Sequence, residues 1–150
     1  MGVEISPMTA KSAKDAAAIE RVCFSDPWSE EAIISEVENP DALYLIARID
    51  GETAGYIGMR RVQGEGHIMN VAVSPAYRRR GAAKALIAAL IEIARNEELS
   101  LILLEVRAGN NPAIALYEGF GFERVGLRRG YYQNPAEDAL LMDLILQCGK

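Results

Sequence analysis

The sequence predicts an α/β (α+β) fold built on one mixed sheet. Read along the chain, the elements are strand, two helices, three strands, helix, strand, helix and two strands. Asp50-Gly51, between two apolar runs, is typical of a tight antiparallel hairpin. The strand–helix–strand order after Ile68 implies a parallel pair within the sheet. No repeat, low-complexity run or linker interrupts residues 1–150, so we expect a single domain.

The composition excludes several classes of protein. Hydrophobic residues make up 50% of the chain and charged residues 25%, which is globular and not disordered. The net charge of -5 argues against a nucleic-acid-binding surface. Cys23 and Cys148 lie far apart without a histidine cluster, so we expect no metal site and a cytoplasmic location. The apolar stretch 85–94 is too short to span a bilayer, so we expect no membrane partner.

Local signals place the elements of the first half. Val3–Pro7 is predicted as a strand, followed by a helix from about Ser12, which resembles the start of a capping box. Ser29 is the predicted N-cap of a second helix, whose acidic first turn suits the helix dipole. Strands are predicted over Ala42–Ile49 and residues 54–62.

The second half alternates strands and helices. A strand over residues 68–73 leads into a long amphipathic helix that begins near Gly81. Residues 101–106 are almost all apolar, which predicts a strand buried on both faces. Asn111-Pro112 opens a short helix, and a further strand is predicted from Phe122.

A basic loop between the fourth strand and the third helix is the sharpest signal of a binding site. It consists of Arg78, Arg79, Arg80, Gly81, Ala82, Ala83 and Lys84. Backbone N–H groups at a helix N-terminus, together with fixed positive charge, suit a pyrophosphate. The loop is neither a Walker loop nor a Gly-x-Gly-x-x-Gly dinucleotide loop. A solvated basic turn that merely caps the helix is the alternative.

Two residues are candidates for proton transfer. Glu105 lies inside the apolar run, where burial would make its carboxylate a better proton acceptor near neutrality. The alternative for Glu105 is a structural contact with Arg107 or with a helix. Tyr117, on the next short helix, could donate a proton to a leaving group, although a tyrosine at helical spacing is often a core residue.

Other residues carry weaker signals. His67 stands alone before a strand, with no nucleophile or metal ligand near it in sequence, so we expect a surface or packing role. Cys23 is predicted as a small core residue, and Cys148 as an incidental residue of the tail. Three aromatic residues could line a pocket or pack at its rim: Trp28, Tyr131 and Tyr132.

Together these segments resemble the GCN5-related N-acetyltransferase (GNAT) superfamily over almost the whole chain. The family's Arg/Gln-x-x-Gly-x-Gly/Ala loop is present as Arg78-x-x-Gly81-x-Ala83, and residues 104–110 and 113–117 match the strand and helix that follow. A finer resemblance is to the bacterial ribosomal-protein-alanine N-acetyltransferases of the RimI type. It is carried by residues 27–30, 104–107, 128–132 and 137–139.

The resemblance implies a GNAT fold, with a mixed and mostly antiparallel sheet of about seven strands. Its parallel pair would be strands four and five, and about four helices would flank the sheet. It further implies an acyltransferase with acetyl-CoA as co-substrate and no metal. The acceptor would be the N-terminal alanine of a ribosomal protein, whose α-amine attacks the thioester directly.

By the same resemblance, Glu105 would act as general base and Tyr117 as general acid. The backbone of Val71, Ala72 and Val73 would hold the pantetheine arm. Residues 79–84 would cradle the pyrophosphate, and Asn110 would contact acetyl-CoA. The chain departs from the family pattern at Ala82-Ala83 and at Gly109, where we expect a looser turn.

The charge is unevenly distributed. Residues 1–52 carry 11 acidic and 4 basic side chains, whereas residues 53–150 carry 10 acidic and 12 basic. This uneven charge has two possible explanations. The acidic residues either lie on solvated helix surfaces without a functional role, or they form one of two faces that bind different partners. On the second reading, acidic residues would attract a cationic protein N-terminus, and neutralising them would weaken its capture most at low salt. These residues are Glu30, Glu31, Glu36 and Glu38.

Two other functions remain open from the sequence. An acetyltransferase of small amines would share the basic loop but would accept free polyamines, amino acids or drugs. A non-catalytic module would bind acyl-CoA without turnover, and replacement of Glu105 would then change no product.

Overall fold

The structure, a computed structural model, describes residues 2–133 and 135–146. One mixed sheet has the strand order β1-β2-β3-β4-β5-β7-β6. Its strands are β1 (Val3–Pro7), β2 (Ala42–Ile49), β3 (Glu52–Val62), β4 (Glu65–Val73), β5 (Leu101–Arg107), β6 (Glu123–Tyr132) and β7 (Glu137–Ile145). The α-helices are α1 (Ala13–Cys23), α2 (Glu30–Val37), α3 (Ala82–Asn96) and α4 (Asn111–Gly119). Within the described residues, no helix is both long enough and apolar enough to cross a membrane.

All neighbouring strands run antiparallel except β4 and β5, which are parallel. The predicted fold class is therefore confirmed, including the position of the parallel pair. Strand β7 lies between β5 and β6 in the sheet. The chain therefore passes from β5 to the edge strand β6 and returns with β7 to fill the position between them.

Two tight hairpins set the register of the central strands. Asp50 and Gly51 have φ angles of 53° and 80°, and Gln63 and Gly64 have φ angles of 51° and 81°. Two consecutive residues with positive φ characterise the hairpin turns whose twist matches that of the flanking strands. The Asp50-Gly51 hairpin is thus confirmed.

The sheet buries each of its faces against a different pair of helices. Helices α1 and α2 cover one face, around a cluster that includes Ile33, Ile46 and Tyr56. Helices α3 and α4 cover the other face, around a larger cluster that includes Leu86 and Ile102. Because strand side chains alternate between faces, each residue's position in its strand determines which helices it meets.

Strand β5 is buried on one face only, so its predicted burial on both faces is wrong. Ile102, Leu104 and Val106 are buried beneath α3 and α4, whereas the alternate residues are half-buried. Helices α1 and α2 contact β2, β3 and β4 and leave the corresponding face of β5 partly open. Glu105 lies on this open face.

The start of α1 also differs from the prediction. A 3-10 turn over Ala10–Ser12 precedes the helix, and its N-cap is Thr9, which exchanges hydrogen bonds with Ser12. The side chain of Ser12 forms no cap hydrogen bond with α1. Its hydroxyl is already engaged by Thr9, so the predicted capping box from Ser12 is wrong. Ser29, by contrast, caps α2 through the Ala32 N–H at 3.1 Å, as predicted.

Strands β4 and β5 separate after a short paired segment. Their parallel pairing joins Glu65 to Leu101 and ends where His67 meets Leu103. Beyond that point β4 continues to Val73 and β5 to Arg107. The shift in register against β3 leaves Met69 as a bulged residue, which adds local twist at the point of separation. A gap therefore opens between the ends of the only parallel strands in the described sheet.

Candidate functional site

Backbone groups of β4 line the gap. The Ser74 N–H donates to the Ala54 carbonyl at 2.8 Å, and antiparallel pairs alternate between hydrogen-bonded and non-bonded positions. Val73 and Val71, at the non-bonded positions, therefore direct their N–H and C=O groups away from β3 and towards the gap. Ala72 bonds to β3, and its methyl group is buried against α1 and α2. Of the three residues predicted to hold the pantetheine arm, Val71 and Val73 thus direct their backbone groups into the gap, and Ala72 does not.

The basic loop ends in an open helix N-terminus. Arg79 and Gly81 have φ angles of 65° and 83°, and no side chain caps α3. A Cβ at Gly81 would meet no atom within 4 Å, so the glycine is required there by its φ angle and not by crowding. Because no side chain of the described residues caps them, the first-turn N–H groups and the positive end of the helix dipole could hold an anion. Ala82 is buried in the core and offers only its N–H.

The cations of the loop divide into engaged and free side chains. Arg78 donates to the Val73 carbonyl at 3.4 Å, and Arg80 lies 3.7 Å from Asp50. Arg79 and Lys84 are exposed and have no side-chain partner within the described residues. These two side chains are free to meet a phosphate.

Glu105 contacts His67. The Glu105 Oε1 and the His67 Nε2 are 2.9 Å apart, and their side chains are 12% and 31% exposed. Arg107 instead pairs with Glu137, so the Glu105–Arg107 contact considered from the sequence is not formed. The expected surface or packing role of His67 did not include this contact, which forms because the parallel pairing of β4 and β5 brings His67 to Glu105.

Tyr117 combines a buried ring with an available hydroxyl. Its ring packs against Phe122, with centroids 5.6 Å apart. Burial, followed by the charge of Tyr132, raises the pKa of Tyr117 to about 12. The hydroxyl forms no hydrogen bond within the described residues and is not fully enclosed. Tyr117 is therefore both a core residue and a protonated donor without a partner.

Tyr132 links the two candidate proton-transfer residues electrostatically. Burial raises the pKa of Tyr132 to about 12, and Tyr131 and Glu105 contribute in the same direction. Since Tyr132 also acts on Tyr117, Glu105, Tyr117 and Tyr132 lie in one neighbourhood. The rings of Tyr131 and Tyr132 are 5.0 Å apart.

Arg107 and Glu137 fix the turn between β6 and β7. The Arg107 guanidinium lies 4.5 Å from the centroid of the Tyr132 ring and donates to the carbonyls of Gln133 and Pro135. The Glu137 Oε2 accepts from the Gly109 N–H at 2.7 Å, and a Cβ at Gly109 would stand 2.7 Å from that oxygen. Glycine permits this close contact, so the turn expected to be loose is anchored.

The loop between α1 and α2 is held by a buried carboxylate that was not singled out from the sequence. Glu20 is 1% exposed, accepts from the Trp28 N–H at 2.9 Å, and also bonds to Tyr56 and Asn70. Trp28 lines an open depression of about 490 Å³ along α2. No ring contact within the described residues joins Trp28 to Tyr131 or Tyr132, so the predicted aromatic set divides into two groups.

Asn110 and Cys23 have structural partners. Asn110 caps α4 through the Ala113 N–H at 3.3 Å, which leaves its amide nitrogen for other contacts. Cys23 is half-buried, and its thiol donates to the Val73 carbonyl at 3.4 Å. Cys23 thus packs at the edge of the core cluster, as predicted, and also borders the gap. Cys148 lies outside the described residues.

The acidic residues of the first half are not equivalent. Glu36 is buried and bonded to Arg60 on β3, so it cannot attract a partner from solvent. Glu30, Glu31 and Glu38 are exposed and remain available. No group of three or more potential metal-ligating side chains occurs in the part of the chain that the structure describes.

Comparison with known proteins agrees with this arrangement. The model of the acetyltransferase (GNAT) family matches residues 13–122. The [ribosomal protein bS18]-alanine N-acetyltransferase of Escherichia coli K12 is 37% identical over 130 residues, which is 84% of this chain and 86% of that protein. The N-alpha-acetyltransferase RimI of Mycobacterium tuberculosis is 37% identical over 146 residues, which is 93% and 90% of the two chains.

A solved structure shows the same fold. The crystal structure of the ribosomal-protein-S18-alanine N-acetyltransferase from Escherichia coli has a TM-score of 0.91 and 33% sequence identity. The similarity covers 99% of this chain and 96% of that one. With its splayed parallel strands and its family match, the chain belongs to the GNAT family of acetyltransferases.

Proposed function

We propose that this protein transfers the acetyl group of acetyl-CoA to the α-amine of a protein N-terminus, an N-terminal alanine of a ribosomal protein. The observation that carries the proposal is the gap between β4 and β5. The Glu105 carboxylate lies on one of its strands, and the Tyr117 phenol, which has no hydrogen-bond partner among the described residues, lies on the adjacent helix. The names of the relatives support the choice of acceptor. An acceptor of this class would place the reaction in the cytoplasm.

The gap and the basic loop fit the two ends of acetyl-CoA. The pantetheine arm carries two amides, which can pair with outward-facing backbone groups as an added strand does. Val71 offers both its N–H and its C=O. Val73 offers only its N–H, because its carbonyl already accepts a hydrogen bond from the Cys23 thiol. The pyrophosphate would lie at the N-terminus of α3, with Arg79 and Lys84 nearby.

Glu105 would activate the acceptor. An α-amine has a pKa of about 8 and is mostly protonated near neutrality, so it must lose a proton before it attacks the thioester. Glu105 lies on the open face of β5 and would accept that proton, directly or through a water molecule. The oxyanion that forms at the acetyl carbon requires a nearby backbone N–H, which the splayed end of β4 provides.

Tyr117 would protonate the leaving thiolate. A tyrosine hydroxyl is protonated at neutral pH, and the lack of a hydrogen-bond partner within the described residues leaves the Tyr117 proton available. The reaction needs no covalent enzyme intermediate, so neither cysteine is required for it.

The acceptor would lie across the open face of β5, between two anchored segments. On one side is the loop before α2, which Glu20 holds through Trp28. On the other side is the β6–β7 turn, which Arg107 and Glu137 hold. Fixed segments of this kind hold an extended peptide with little ordering cost.

The test uses acetyl-CoA and two peptides. The first peptide begins with a free alanine α-amine, and the second has a blocked α-amine and a free internal lysine. Mass spectrometry should find a single acetyl group, on the α-amine of the first peptide. Glu105→Gln should lower kcat by about 10²- to 10⁴-fold, whereas binding of acetyl-CoA should persist.

Glu65→Gln is the matched control, since Glu65 is exposed at the start of β4, and it should leave the rate unchanged. Acetylation of free small amines but of neither peptide would favour the small-amine function. Tight binding of acetyl-CoA without turnover on any amine would favour the non-catalytic module.

A further inference from the structure

His67 is the only histidine in the chain, and the structure places it against the candidate base. It belongs to the last paired position of β4 and β5, where the gap begins. Its Nε2 is 2.9 Å from the Glu105 Oε1, and its side chain is 31% exposed against 12% for Glu105. Of this pair, the imidazole therefore has the better access to solvent.

The proposed reaction has a proton to remove in every turnover. An ammonium nitrogen loses two protons when it becomes an amide: the C–N bond forms, the C–S bond breaks, and one proton ends on the sulfur of CoA. Tyr117 delivers that proton and regains one from the nitrogen of the tetrahedral intermediate. The other proton, first taken by Glu105, must reach solvent before the next cycle.

We propose that His67 carries this proton from Glu105 to solvent and holds the carboxylate in place as it does so. This inference rests on the proposed function. Glu105 forms no other hydrogen bond within the described residues. The His67 Nδ1 has no partner there either, so a proton taken up at Nε2 can be balanced by release from Nδ1 to water.

The groups around His67 are compatible with a transient positive charge on the imidazole. Arg60 lies opposite His67 on β3 and is neutralised by Glu36. Arg107, further along the same face of β5, is paired with Glu137. Further titratable groups on the same face of the strands are Glu65 on β4, Asp143 on β7, and Glu123 and Tyr132 on β6, where Glu123 is the cross-strand partner of Asp143.

Two substitutions separate proton transfer from simple positioning. His67→Gln keeps an N–H donor for Glu105 but cannot accept a proton and pass it on, and His67→Ala removes both capacities. Both variants should lower kcat by at least about tenfold, with the Kd for acetyl-CoA and the KM for the peptide within about twofold. Added imidazole should restore the rate of His67→Ala in a saturable way and leave Glu105→Gln unaffected.

A spectroscopic measurement tests the contact itself. Since the chain has one histidine, selective ¹⁵N labelling gives the signals of a single imidazole. Glu105→Gln should change the ratio of the two imidazole tautomers, whereas Glu92→Gln, at an exposed position of α3, should not.

Several results would overturn the inference. A wild-type kcat for His67→Gln would show that the histidine acts only as a hydrogen-bond donor to Glu105 and does not transfer a proton. A loss of rate in both variants without rescue by imidazole would make its role structural. An unchanged tautomer ratio in Glu105→Gln would show that the contact between His67 and Glu105 is not formed in solution. In each case acetylation of the α-amine by the wild type, abolished by Glu105→Gln, would leave the proposed function intact.

Discussion

Several residues of the candidate site also contribute to packing or anchor a turn. Tyr117 fills the core beside Phe122, yet its hydroxyl makes no hydrogen bond in the described structure. Gly109 appears from the sequence to loosen a turn but is the position at which the Glu137 carboxylate approaches the backbone. Glu20 is buried, has no cationic partner within the described part of the chain, and accepts from three donors, one of which is the Trp28 N–H of the loop between α1 and α2.

Replacement of Tyr117 by phenylalanine isolates its hydroxyl. Tyr117→Phe keeps the ring packing, so we expect the melting temperature and the Kd for acetyl-CoA to be close to wild type. The kcat should fall by about 10²- to 10³-fold because the thiolate loses its proton donor. Because the pKa of Tyr117 is raised to about 12, wild-type kcat should show no loss from this group up to about pH 10. A wild-type kcat in Tyr117→Phe would exclude it as the acid.

At the level of elements, the functional geometry comes from strand ends and helix ends. The parallel strands pair over three positions only, so their remaining backbone groups face a gap. Helix α3 begins with a left-handed glycine and no side-chain cap, which leaves its first N–H groups free. Both features leave polar backbone groups for a ligand to satisfy.

Two glycines with almost the same φ angle provide a matched test of the α3 N-terminus. Gly81 and Gly64 have φ angles of 83° and 81°, and a Cβ would meet open space at either one. Alanine at each position should lower the free energy of unfolding by about 1 kcal/mol, the cost of a left-handed alanine. Only Gly81→Ala should also raise the KM for acetyl-CoA several-fold. Equal KM values for the two variants would show that the loop does not hold the co-substrate.

At the scale of the whole molecule, buried tyrosines make stability depend on alkaline pH. Burial, with Glu36 and Glu20 as the leading acidic neighbours, raises the pKa values of Tyr44 and Tyr56 well above their usual range. Burial also raises those of Tyr117 and Tyr132 to about 12. The folded state therefore keeps all four phenols neutral at pH values at which the unfolded chain ionises them. The four side chains are distributed over both faces of the sheet.

The pH dependence of unfolding follows from these shifts. Tyrosines of the unfolded chain ionise near pH 10, whereas the folded ones resist ionisation. The stability that neutral phenols contribute is complete below pH 10 and is lost as the pH rises towards 12 and beyond. The urea midpoint should fall steadily between pH 10 and pH 12, and Tyr56→Phe should reduce that slope. A midpoint independent of pH over this range would contradict the shifts.

The sequence by itself determined the order and type of the elements, the Asp50-Gly51 hairpin, the parallel pair and the basic loop. These depend on periodicity, glycine and capping residues within a few positions of one another. Helix boundaries were harder to predict where two neighbouring residues can both act as the N-cap. Before α1, Thr9 and not Ser12 forms the capping hydrogen bonds. The burial of β5 on a single face was not predicted either. Which strands α1 and α2 cover depends on how these helices pack on the sheet, and the residues of β5 carry no information about that.

Only the tertiary structure decided which distant side chains meet. His67 and Glu105 are 38 residues apart and touch because two parallel strands pair in one register. Glu137 reaches Gly109 across 28 residues, and Glu20 reaches Asn70 across 50. A shift of one residue in strand register would turn each strand residue of these contacts to the opposite face, so the contacts exist only once the whole sheet is assembled.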